Sequence, residues 1–376
     1  MTDATSVTRE MIEAWADDAS GPVALHLRQK LLPAEGEEGV IFPPTYADIG
    51  YNIDTLSDGT KVATIDSVGS QANRIEPLFK RPDLAPLVPQ ITVRFGNKKS
   101  VSLLEIGHRL ADAAVRNSAL RQEVDEAFAS FRSRGDAAPI ARLAPTTLVF
   151  GAWDSRGEGA KLPRLINSVI RAWQVEELTR SAVYIPPVDY AALAVFSEED
   201  REKAHGNAKS PLAQKGFVHV PAGEAPGGVL VRGGIYRDVT VNLVALRRLN
   251  EDLPSGPMLR RYVLGLTLVA AVAPQDGFLR QGCLLVPDPD VPATWVKVGR
   301  DGGRAPILLS EEVVLEFART AAEAFGVAQP RVVEFDREAA RQEVEKQKAE
   351  SSKGRGKKGA QKGAAPGAAD DGDGEA

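Results

Sequence analysis

An α+β fold is what this sequence predicts. Three observations carry it: short segments rich in β-branched and aromatic residues, amphipathic segments of helical length, and no regular strand–helix–strand period of the kind a parallel sheet requires. With 376 residues, 43% of them hydrophobic, the chain has enough apolar material for a sizeable core.

Taken in order, the strand-like segments are 61–65, 91–95, 147–150, 182–185, 234–243 and 283–286. Helices are expected over 103–131, broken near Asn117, and over 162–174, 257–272 and 311–325. In 162–174 an apolar stripe of Leu162, Leu165, Ile166, Val169 and Trp173 leaves Arg164 and Arg171 off its face. Residues 197–234 fit neither element type, with seven glycines, prolines at 211, 221 and 226, and basic groups at Arg201, Lys203, Lys209, Lys215 and Arg232. Two strand arms, 216–220 and 228–231, flank 221–227 there and suggest a long projecting hairpin. A flexible surface insertion fits the same composition.

Beyond Phe335 an acid–base stretch gives way to Ser, Gly, Lys and Ala with almost no large apolar side chains, so 336–376 reads as a charged, mostly disordered tail. It holds nine basic and nine acidic residues, which leaves the whole net charge of -5 on 1–335. Any nucleic-acid contact must then come from a local groove, because a sequence-independent coat would be more basic. A cytoplasmic protein is expected: Cys283 is the single cysteine, the first residues are acidic without an apolar segment, and no apolar run reaches membrane-spanning length.

Catalytic signatures are missing. The four histidines, at 26, 108, 205 and 219, lack metal-binding spacing, and there is no P-loop, no strand-linked Gly-x-Gly-x-x-Gly and no nucleophile elbow. No catalytic residue, metal or cofactor is therefore expected. The informative stretch is instead 63–77, where an apolar strand runs into a helix on which Ser67, Ser70, Gln71 and Arg74 share one side and Val68, Ala72 and Ile75 the other. Uncharged donors with one arginine suit a phosphate-reading face, helped by the amides of the helix start. An ordinary helix capped by Asp66 or Ser67, with a solvated polar side, fits as well.

Several motifs in order carry a resemblance. Asp66-Ser-Val-Gly-Ser-Gln-Ala-Asn-Arg-Ile-Glu76, preceded by Ile41-Phe-Pro-Pro-Thr-Tyr46 and Tyr51-Asn-Ile-Asp54, resembles the opening of the RAMP-superfamily backbone (Cascade backbone) subunit of type I-G, formerly I-U, CRISPR surveillance complexes. Val149-Phe-Gly-Ala-Trp-Asp-Ser-Arg156, Gly233-Gly-Ile-Tyr-Arg237 with Asn242-Leu-Val-Ala-Leu246, and 273–283 continue the match through most of 1–335.

The resemblance implies an RRM-like (ferredoxin-like) palm with inserted segments and a projecting β-hairpin thumb, at about 197–234. It implies a non-catalytic subunit that binds CRISPR guide RNA and oligomerises along it in a helical filament, presenting the guide for pairing with invading DNA. Partners would be further copies of the chain, a large subunit, a guide-processing subunit and a recruited nuclease-helicase, with no membrane involved. Ser67, Ser70, Gln71, Asn73 and Arg74 would hold guide phosphates and riboses while leaving base edges free. Trp153, Arg156, Lys161 and Arg164 would form a second contact around a glycine-flanked turn, and Arg232 and Arg237 a third at the thumb base. With that assignment Asp66 becomes the helix cap, and 273–283 a structural turn or a contact with the next subunit. Two other classes remain open: a metal-dependent, type III-like RAMP endoribonuclease cleaving target RNA with Asp66 or an acidic loop residue as its catalytic group, and an unrelated α+β ligand-binding protein.

Overall fold

Alternation runs through residues 166–173, where Ile166, Ser168, Ile170 and Ala172 are all buried, and the segment is a strand. The helix expected over 162–174 is thereby corrected: the stripe spaced by three and four residues coincides with a period of two whose inward positions include a serine and an alanine. The opposite correction falls on 147–150, expected as a strand and found inside the short helix Thr146–Phe150. All five of its residues are buried, so no face-to-face contrast marks its period.

The computed structural model describes residues 4–96, 99–154 and 159–345. The elements that place the site are α1 (Arg9–Asp17), β1 (Ala24–Pro33), β2 (Ile53–Thr55), β3 (Lys61–Asp66), α2 (Val68–Ile75), α3 (Arg121–Arg134), β4 (Ile166–Trp173), β5 (Val175–Tyr184), β6 (Val220–Val231), β7 (Ile235–Asn242), α4 (Gly256–Val272), β8 (Phe278–Arg280), β9 (Cys283–Pro287), β10 (Thr294–Val298), β11 (Arg304–Leu308) and α5 (Glu311–Phe325). The expected helix over 103–131 is broken into two 3-10 turns, the short helix Ala113–Arg116 and α3.

The fold is α+β. Its main sheet runs β11-β10-β1-β7-β4-β3-β2, with every one of these neighbours antiparallel. Within it β10-β1-β7-β4 has the spatial order 4-1-3-2 of a ferredoxin-like βαββαβ unit, with α4 in the second crossing and a long insertion, including β3 and α2, in the first. One sheet face is covered. Leu25 and Leu27 of β1, Val239 and Val241 of β7 and Ile166 of β4 pack under α4 and α5, while Leu31, Ile235, Ile170 and Ala172 pack under the segment carrying Leu279, Cys283 and Leu285. The opposite face is polar: the Arg28 guanidinium lies 4.1 Å from the Tyr236 ring centroid, and His26 meets Thr240 at 3.2 Å and Asp238 at 3.4 Å.

The hairpin between β4 and β7 is drawn out into a long two-stranded arm, but its boundaries differ from the expected 197–234. β5 pairs with β6 from Val175↔Val231 to Tyr184↔Val220, and the short helices Glu198–Ala204 and Pro211–Gln214 lie in the connection at its tip. Residues 221–227, expected to separate two arms, belong to β6 itself. Register shifts at Glu177/Thr179 and Arg180/Ala182 accommodate the prolines and glycines. A Cβ on Gly227 would lie 2.6 Å from the Thr179 backbone, so this approach requires glycine.

Candidate nucleic-acid interface

Asp66 ends β3 with its carboxylate fully buried, and α2 starts two residues later. Four side chains converge on it: Ser70 Oγ donates to Oδ1 at 2.7 Å, Gln71 Nε2 to Oδ2 at 2.7 Å, Arg74 Nε to Oδ2 at 3.1 Å and Arg280 to Oδ1 at 3.3 Å. A buried carboxylate needs that many donors, because an unpaired charge out of water is costly. The expectation that Asp66 caps α2 is therefore corrected. Ser67 is the cap, its Oγ accepting from the Ser70 amide at 3.2 Å.

The stripe Ser67, Ser70, Gln71, Arg74 does share a face, but that face is turned largely onto the protein's own acid. Gln71 is fully buried, and its Oε1 accepts from Ser168 Oγ at 2.8 Å. Ser168 in turn accepts from Arg237 Nε at 3.2 Å, which continues the network from α2 to the middle of the sheet. Gln71 and Arg237, expected to touch RNA, thus face inward and are spent on internal bonds. Arg74 also donates to the carbonyls of Leu279, at 2.6 Å, and Phe278, at 3.5 Å, but about a third of its side chain remains exposed.

A more accessible cluster stands beside the start of α2. Trp153 is 61% exposed, and the Lys161 ammonium lies 4.9 Å from its ring centroid, the two residues being paired partners of a short two-stranded ribbon. Arg164 is exposed, anchored through Nε to the Phe150 carbonyl at 3.1 Å, and its guanidinium passes over Gly69. Gly151, at φ +76°, permits this crossing, because a Cβ there would sit 2.9 Å from the Arg164 side chain. Asn73 is exposed on the next turn of α2. Arg156 lies outside the described residues. Arg232 is exposed and paired with Glu176 across the base of the arm, at 3.3 Å.

Beneath this cluster Arg109 and Glu76 form a buried ion pair at 2.7 Å. Burial pushes the Glu76 carboxyl up to about 7, against the downward pull of Arg109 and of a bond to Thr146. Burial also lowers the Arg109 guanidinium, and the nearby charge of Arg164 adds to that. Three features escape a reading of the sequence: the Asp66 network, because its partners Ser168 and Arg280 are remote along the chain; the Glu76–Arg109 pair; and the open-face stack of Arg28 on Tyr236. The last could have been found from the alternation of residues 24–33, where His26, Arg28 and Lys30 fall on one face.

Sheet order, arm and polar cluster together define an α+β protein with a ferredoxin-like palm and a drawn-out central hairpin. Residues 25–177 match the model of a family described as CRISPR-associated protein GSU0053. Among solved structures, the chain is similar to a chain of a CRISPR RNA-guided surveillance complex, pre-nicking, at 10% identity and a TM-score of 0.33, covering 81% of this chain and 90% of that one. No curated protein matches it. Among the described residues no group of acidic, histidine or cysteine side chains is arranged to hold a metal ion, and no helix is long and apolar enough to cross a membrane.

Proposed function

We propose that this chain is a non-catalytic, RNA-binding backbone subunit of a type I-G CRISPR surveillance complex, which repeats along the guide RNA and holds it for pairing with invading DNA. The observation that carries the reading is the match of residues 25–177 to a CRISPR-associated family, in a chain whose ferredoxin-like sheet extends its central hairpin into a long arm. The RNA backbone would run past α2 and the ribbon beside it. Lys161 and Arg164 supply positive charge, Asn73 a neutral donor, and Trp153 a face on which a base or ribose can rest. Arg74, with about a third of its side chain exposed, adds to the same side.

Asp66 supports the non-catalytic reading. Both its oxygens are occupied by donors from the chain itself, so it is placed to organise α2 rather than to activate a water or hold a metal. The test is purification with partner subunits, followed by sequencing of bound RNA: a discrete small RNA of repeat-spacer sequence is expected. Incubation of that complex with complementary labelled RNA and magnesium should give no cuts. Specific cuts by that complex would overturn the non-catalytic reading in favour of the endoribonuclease one.

A further inference from the structure

Arg237 occupies the centre of β7, opposite Gln29 on β1 and Ile170 on β4, and faces the covered side of the sheet. It is 7% exposed. Its bonding partners are all uncharged: Ser168 Oγ, the Ala271 carbonyl at 3.1 Å and Gln29 Oε1 at 3.5 Å. Among the described residues no carboxylate pairs with it. The Ala271 carbonyl belongs to the last turn of α4, where the helix dipole offers about half a negative charge, and this compensates the guanidinium only in part.

Beside Arg237 lies a cavity of about 270 Å³, walled largely by apolar side chains including Leu31, Ile170, Leu279 and Leu285. Gln275, on the loop that forms its rim, has a buried Nε2 with no hydrogen-bond partner. A cation short of a counter-charge and an unpaired amide donor thus border one small cavity. A guanidinium without a counter-charge and an amide without an acceptor are each costly to bury, and a ligand whose acceptor oxygens carry a negative charge would offset both costs.

We infer that this cavity is a binding site for a carboxylate on a short apolar stem, the aspartate or glutamate side chain of a docked polypeptide segment. The charged end meets Arg237 and Gln275, and the apolar walls receive the stem. A phosphodiester fits these walls less well, since its flanking sugars and wet oxygens find few polar partners there. The inference does not depend on the RNA-binding role. The occupant is an acidic side chain of another polypeptide, which the uncompensated guanidinium and the unpaired amide complement in charge and hydrogen bonding; the acidic residues Asp370, Asp371, Asp373 and Glu375 of this chain are the competing source that the test separates.

The test follows the Arg237 Nε–H and Gln275 side-chain amide signals of the isotope-labelled full chain by NMR, during titration with propionate, propionamide, inorganic phosphate or a short RNA. Propionate should move both signals on one saturable curve, and the neutral isostere propionamide should move neither. Gln275→Leu, on the rim and remote from the sheet core, should weaken propionate about tenfold, the loss of one hydrogen bond to a charged group. Changing Asp370, Asp371, Asp373 and Glu375 to amides in the full chain should leave propionate binding unchanged, and tighter binding would overturn the assignment to another polypeptide by showing that this chain's own acids fill the cavity. Signals unmoved by propionate, or moved only by phosphate and RNA, would overturn the inference.

Discussion

Removing the Asp66 carboxylate strips the acceptor from four side chains at once. Asp66→Ala should destabilise the protein by about 3–5 kcal/mol, the cost typical of breaking a buried charged network by deleting one partner, read as a shifted denaturation midpoint in urea. A shift within experimental scatter would mean that Arg74 and Arg280 find water instead. The stripe of Ser67, Ser70, Gln71 and Arg74 was legible as a shared helical face, but the residue that faces it was not. Its acceptor stands just before the helix, and the rest of the network comes from Ser168, Arg237 and Arg280, far along the chain. Glu76 gives a second prediction at this scale. Its carboxyl is raised to about 7 in the folded state, above its ordinary 4.5, so between these values the native state holds a proton that the unfolded state has lost. Its contribution to stability is therefore fully present below about 4.5, falls as pH rises toward 7 and is flat above that. Glu76→Gln should remove that part of the slope in urea denaturation measured across pH 4.5 to 8; an unchanged slope would reject the assignment.

Whole elements were legible where one face contrasts with the other. Helix 311–325 matches α5 end to end, because Val314, Phe317, Ala318, Ala321 and Ala322 recur on one side. Reading failed where the contrast vanishes, as in Thr146–Phe150, or where two periods fit one string, as in β4. The arm failed for a third reason: prolines and glycines in β6 look like turn residues, and only the bulged pairing with β5 makes a strand of them. Cutting 211–227 would remove part of the connection together with two thirds of β6, and so would not test the tip alone. Replacing 185–219 by a tight turn should instead leave the palm folded, with circular dichroism and melting temperature near those of the intact chain, and impair assembly on RNA. Full assembly after that change would remove the tip from the function. The turn before β8 can be probed separately. Gly277 adopts φ +71°, and a Cβ there would collide with the Leu285 carbonyl oxygen. Gly277→Ala should therefore displace β8 and cost about 1–3 kcal/mol, read as a lowered melting temperature.

At the scale of the molecule, the net charge of -5 and the proposed RNA partner are reconciled by where the charges stand. Many basic side chains are paired: Arg232 with Glu176, Lys61 with Glu177, Arg331 with Glu123 and Arg261 with Asp17. Lys161 leans on an indole and Arg164 on a backbone carbonyl, neither of which cancels a positive charge. Both side chains are exposed on the surface beside the start of α2, and both can meet phosphates without giving up a carboxylate. Single-stranded RNA releases about 0.7 counterions for each phosphate neutralised. Lys161→Ala combined with Arg164→Ala should thus lower the slope of log K against log salt by about 1.4, in titrations of the assembled complex with guide RNA. Trp153→Ala should weaken binding by about 1–3 kcal/mol with the slope unchanged, because stacking displaces no counterions. The two variants separate charge from stacking at one surface, and a double variant that retains the full salt slope would place the RNA path elsewhere on the palm.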